Sequence, residues 1–227
     1  TVRSEDSNHP KENMYDYRNL NKDLRAEDAT KNDWLWKADF GAAQAMAALF
    51  LNYINFDKVT IQGHATDSWG TPSFEETFEI SQDDRVQRYK AYCALTNFNY
   101  RWQRGFIPSD ATLVGDLAVW AVSSVAALES VITLSPQITY GYDYSTDVPV
   151  KDSPKKSGGK ERVGQGEDLI WTGEIPIGRR TPTDESQLWS LNALNRAEPH
   201  VLFENEGNTQ YAYLCWREDP VRLTREA

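Results

Sequence analysis

The sequence predicts an α+β fold, with two or three buried apolar helices packed against antiparallel strands and hairpins, preceded by an extended N-terminal arm. Three observations lead there. Two long segments are apolar on nearly every side, as helices buried from several directions are. Shorter segments alternate apolar and polar residues between clusters of turn formers. The first 33 residues are almost devoid of apolar side chains. A chain of 227 residues, 40% hydrophobic, has enough material for one large domain with appendages.

Residues 1–33 interleave both signs of charge, and only Tyr15, Tyr17, Leu20 and Leu24 offer apolar anchors. Such a segment gains order by lying on another surface, here the body of this chain or a neighbouring subunit. It has no apolar stretch of the kind a signal peptide carries, and its start without Met suggests processing or trimming. Residues 34–227 then read as a single α+β domain.

That domain opens with "WLWKADFGAAQAMAALFLNYINF", whose Ala, Leu and Met content predicts a central helix over 38–53. "KVTIQG" and "SFEETFEIS" predict two strands. In the second, Phe74, Glu76, Phe78 and Ile80 alternate with Glu75, Thr77 and Glu79. "HATDSWGTP" between them is turn chemistry. Ser81 and Asp84 suggest the cap of a further helix, carried on by Val86, Tyr89 and Cys93 and ended by Gly105 and Pro108. Ser109 caps a second strongly apolar helix over 110–131, with Leu113, Leu117, Trp120, Ser124 and Leu128 on one stripe.

"QITYGYDYST" reads as a strand. Composition then breaks: Pro, Gly, Ser and Lys dominate a flexible loop at about 146–167. "LIWTGEIPI" is strand-like, a short helix begins near Thr183, and "HVLFE" and "TQYAYLCWRE" flank "NEGN", a hairpin signal.

Composition narrows the function. A net charge of −10 disfavours nucleic acid and anionic membranes as partners. The longest apolar runs, Ala42–Leu51 and Leu117–Leu128, are too short or interrupted to span a bilayer. Cys93 and Cys215 lie far apart among large apolar residues and read as buried reduced thiols, which favours a reducing, intracellular or virion setting.

Reactive constellations are few. His9, His64 and His200 are scattered, no metal-ligand spacing is present, and no cofactor is implied. "KKSGGKERVGQG" resembles a phosphate loop only loosely, because Glu161 follows Gly159-Lys160 and Pro154 stands where the first Gly belongs. His64 with Asp67 or Glu76 is the simplest hydrolytic arrangement. Adjacent strand residues face opposite sides, however, so Glu75 and Glu76 do not share a substrate.

Eight Trp residues supply the other candidates. Most sit in apolar patterns. Trp69, in a Ser-Trp-Gly loop, and Trp102, between Arg101 and Gln103, are placed to anchor a partner. Lys155, Lys156, Lys160 and Arg162 form a basic cluster that suits an acidic partner face. The leading expectation is therefore a non-catalytic structural or assembly protein that oligomerises with other protein subunits, such as a subunit or processed fragment of a viral or phage shell. A small soluble hydrolase using His64 and a soluble protein-binding adaptor are the alternatives.

Overall fold

The computed structural model describes residues 5–15, 23–80, 89–131, 150–154, 160–164, 182–190, 200–203 and 212–215. The chain falls into two compact units, Thr1–Val131 with Pro199–Leu214, and Ile132–Glu198 with Cys215–Ala227.

The first unit is built on one antiparallel sheet. Its strands are β1 (Leu24–Arg25), β2 (Asp33–Ile54), β3 (Lys58–His64), β4 (Phe74–Glu79), β5 (Tyr89–Ile107) and β6 (Ala121–Leu128). Their order across the sheet is β1-β6-β2-β5-β3-β4. The β3–β4 hairpin forms as its alternation predicts, with Gln62 opposite Glu75 and Gly63 opposite Phe74.

The predicted buried helices are strands, and the fold is mostly antiparallel β rather than α+β. Residues 38–53 belong to β2, residues 89–107 to β5, and 121–128 to β6. The cause is visible in the packing. Leu49 and Leu51 enter the main core with Ile61, Cys93, Val122 and Val125. Phe50 points the other way, into a second cluster with Ala126, Tyr92, Leu128 and Val201. A strand covered on both faces reads as a continuous apolar run and loses its period of two. The helix propensity of Ala and Leu is outweighed by this pairing and burial. The extension predicted over 81–88 lies outside the described residues, as do the strands predicted at "QITYGYDYST" and "LIWTGEIPI".

β2 and β5 form a long ribbon whose register shifts four times, between Trp34/Trp36, Asp39/Gln44, Met46/Ala48 and Leu51/Ile54. Three of these shifts hold a residue in the left-handed region: Gly41 (φ 75°), Asn97 (φ 59°) and Tyr53 (φ 50°). Bulges of this kind bend a strand and increase its twist. One end of the ribbon pairs with β3, through Thr60–His64 opposite Trp102–Phe106. The other pairs with β6, through Ala48–Ile54 opposite Val122–Leu128.

The N-terminal segment lies on this same body. A 3-10 turn over Lys11–Tyr15 precedes β1, which pairs Leu24 with Val122 and Arg25 with Ala121. Leu24 is buried as its apolar character predicts, and Met14 is buried beside it.

β9 (His200–Phe203) and β10 (Ala212–Cys215) form a two-stranded sheet, matching the strands predicted on either side of "NEGN". In the second unit, β7 (Val150–Pro154) and β8 (Lys160–Gly164) make a hairpin within the segment read as a loop, with Lys151 opposite Val163 and Asp152 opposite Arg162. The helix expected near Thr183 is α1 (Pro182–Ser190).

Candidate functional site

One face of the β4-β3-β5-β2 sheet gathers the aromatic and cationic side chains that sequence reading left scattered. Successive residues of a strand alternate sides. On β5 the outer set is therefore Trp102, Arg104 and Phe106, and the inner set Gln103, Gly105 and Ile107. Cross-strand pairing builds three rows: Trp34, Phe106 and Thr60; then Lys37, Arg104, Gln62 and Glu75; then Asp39, Trp102 and His64.

The inner face fixes this arrangement. Trp36 is buried, donates its Nε1–H to Gln103 Oε1 at 3.2 Å, and lies flat against Gly105. A Cβ at Gly105 would stand 2.2 Å from the Trp36 ring. Phe98 packs edge-on to Phe74 and Tyr100, with ring centroids 5.3 and 5.2 Å apart. β5 thus cannot slide or rotate without breaking the core.

On the outer face the β3–β4 loop folds back over the sheet. Its Asp67 carboxylate accepts from Lys37 Nζ at 3.0 and 3.1 Å and from the Trp69 indole N–H. These two donors, Trp69 first, hold its carboxyl below the usual carboxylate value. The Trp69 ring is then stacked by the Arg104 guanidinium at 4.5 Å, and Arg104 also lies 5.3 Å from the Phe106 ring. Arg104 Nε donates to Gln62 Oε1, and Gln62 Nε2 donates to Glu75 Oε2. Burial pulls the Arg104 guanidinium below its ordinary value, against the opposing pull of Asp33, Glu75 and Asp67. Lys37 sits 4.8 Å over Trp34, and Arg101 5.7 Å from Trp102. Arg101 makes a two-pronged pair with Asp39 at 2.7 and 2.8 Å. Three cations (Lys37, Arg101, Arg104) meet the carboxylates of Asp39, Asp67, Glu75 and Asp33, so the face carries no excess of positive charge.

Trp69 and Trp102, predicted as anchors in separate places, are brought to one surface and are both half-buried. Arg104, Lys37, Trp34 and Phe106 complete it. Sequence reading missed them, although "RWQRGF" carries Trp102, Arg104 and Phe106 at the strand period. Lys160 and Arg162 lie on β8 in the second unit, while Lys155 and Lys156 fall outside the described residues.

The structure does not bring His64 together with the predicted carboxylates. The Thr66 amide donates to His64 Nδ1 at 3.0 Å, and Asp67 is held by Lys37 and Trp69. Glu76 lies opposite Ile61, on the face away from His64. Cys93 is fully buried, and burial pushes its thiol up, away from the reactive thiolate. Among the described residues no group of His, Cys, Asp or Glu is arranged to hold a metal ion, and no helix is long and apolar enough to cross a membrane. No protein-family model matches the chain, and no curated protein sequence matches it.

Proposed function

We propose that this protein is a non-catalytic assembly subunit that contacts other protein subunits through the outer face of the β4-β3-β5-β2 sheet, in the manner of a component of a multi-subunit shell. The observation that carries this reading is the pre-ordered set of Trp34, Trp102, Phe106 and Arg104 on strands, with Trp69 brought onto them by the β3–β4 loop. Trp and Arg dominate the energetics of protein contacts. Immobilising a side chain on binding costs about 0.5–1.5 kcal/mol, and here cation–π stacks and ion pairs have already fixed the rotamers. A face without excess cations fits a protein partner better than a polyanion, whose phosphates would require unpaired cations.

Static light scattering at micromolar concentration tests this on the intact chain and on Trp69→Ala and Trp102→Ala. The intact chain is expected to run as a multimer. Each variant should lose at least about tenfold in association, the cost of removing an anchor worth roughly 1.4 kcal/mol or more, with a melting temperature within a few degrees of the parent. A multimer unaffected by either substitution, or a variant that loses its fold together with its association, counts against this face as the contact.

A further inference from the structure

The N-terminal segment is held both by its own polar contacts and by packing on β6. Within it, the Asp23 carboxylate is buried between His9 Nδ1 at 2.7 Å and Arg25 Nε at 3.0 Å. Asn13 Nδ2 donates to the Asp23 carbonyl at 2.8 Å, the Lys11 amide donates to Glu5 Oε1, and Glu5 bridges to Ala26. The Asp6 amide donates to Arg25 O, and the Arg25 amide to His9 O. These contacts make a small module in which the described parts, 5–15 and 23–26, hold one another.

Its attachment to the body runs through β6. β1 is two residues long and lies along the edge of β6, the Ala26 amide donates to Trp120 O at 2.9 Å, and the module lends Met14, Leu24 and Ala26 to the core. Between module and β2 runs 27–32, "EDATKN", polar and exposed apart from Ala29. It crosses a crevice lined by Asp28, Thr30, Trp34 and Trp120, tied down there by the Trp120 indole donating to Thr30 O at 2.9 Å. It ends on Asn32, a non-glycine residue at φ 57°. The backbone turns left-handed at that point, just before β2 begins.

We propose that these features make the arm exchangeable, so that in the assembled protein the module of one copy docks on β6 of a second copy. This inference rests on the assembly reading above and specifies how copies are joined. The occupant is the same segment in both cases: β6 is an apolar edge that Leu24 and Met14 already fit, so every contact within the module and with β6 is kept on exchange. What changes is the 27–32 connection, which straightens and frees Asn32 from the left-handed region. Exchange of an identical element is a low-cost route to association when a short hinge is strained.

The closing experiment mixes two differently tagged full-length chains, one carrying Leu24→Cys and the other Val122→Cys. These positions face each other across β1 and β6, within the range an antiparallel pair allows a disulfide. The tags are co-expressed, oxidised, and the product mapped by mass spectrometry. Exchange yields a disulfide joining the two tags. A single chain carrying both substitutions is the folding control, because it closes the bond internally when the arm stays home. In the otherwise unsubstituted chain, Asn32→Val is expected to raise the multimer fraction several-fold, and Asn32→Gly to lower it, since Val disfavours and Gly favours the left-handed turn. A multimer seen by light scattering with no disulfide between tags, or with no response to the Asn32 pair, overturns exchange and leaves the assembly reading standing. A chain that stays monomeric at all concentrations removes both.

Discussion

At the scale of single residues, Asp39 shows how the exposed ribbon is held in shape. Arg101 donates two hydrogen bonds to its carboxylate, and the Gly41 amide adds a third at 2.9 Å. Arg101 first, then Gly41, lowers its carboxyl from 3.8 to about 2. A carboxylate with a depressed folded-state value contributes its stability above the unfolded value and loses it as the proton returns. That contribution is complete above pH 3.8 and fades as pH falls toward about 2. Melting curves between pH 5 and 2 should therefore show the parent losing its margin over Asp39→Asn as acid is added. Parallel curves would mean that the pair does nothing for the folded ribbon. The site was partly legible at this scale. Trp69 and Trp102 stood out because a large aromatic in a polar setting is conspicuous. Lys37 and Arg104 did not, because their roles depend on Asp67 and Trp69 folding back from a loop, a contact that no local spacing encodes.

At the scale of elements, the hairpin β3–β4, the flanks of β9–β10 and the start of α1 follow from alternation, turn residues and capping. β2, β5 and β6 do not. For β2 and β6 the reason is burial, whereas β5 alternates buried and more exposed residues and reads as a helix from the cap signal at Ser81 and the spacing of Val86, Tyr89 and Cys93. Phe50 and Leu51 are both inside, on opposite sides of the same strand. When both sides of a strand are covered, local sequence no longer distinguishes it from a core helix, and only a partner distant in the chain decides the matter. Gly105 was read as the end of a helix and is instead the point where β5 presses against the Trp36 ring. Gly105→Ala should cost at least about 1–3 kcal/mol, the range for overpacking a close contact, measured as a lower urea midpoint at an unchanged m-value. A neutral result would show that Trp36 has room to move and that the β2–β5 contact is looser than its geometry.

At the scale of the whole molecule, charge and topology set the behaviour. The chain carries a net −10, and the aromatic face has no excess of cations. Two such chains repel at long range, and salt screens that repulsion within about 10 Å at 0.1 M. Raising sodium chloride from about 50 to 500 mM should leave self-association unchanged or strengthen it, as followed by sedimentation equilibrium. Weakening by tenfold or more would place charge pairing, not aromatic anchors, at the contact. Topology has a further consequence. β2 finds its neighbours in β5 and β6, with Leu51 opposite Ala91 on one side and Val125 on the other. During synthesis, the greasy stretch around Leu49 to Ile54 leaves the ribosome long before either flank exists. Until β5 has been translated it has nothing of its own to pair with, and its second flank, β6, is complete only at residue 128, so the nascent chain at this stage is a natural client for a holding chaperone.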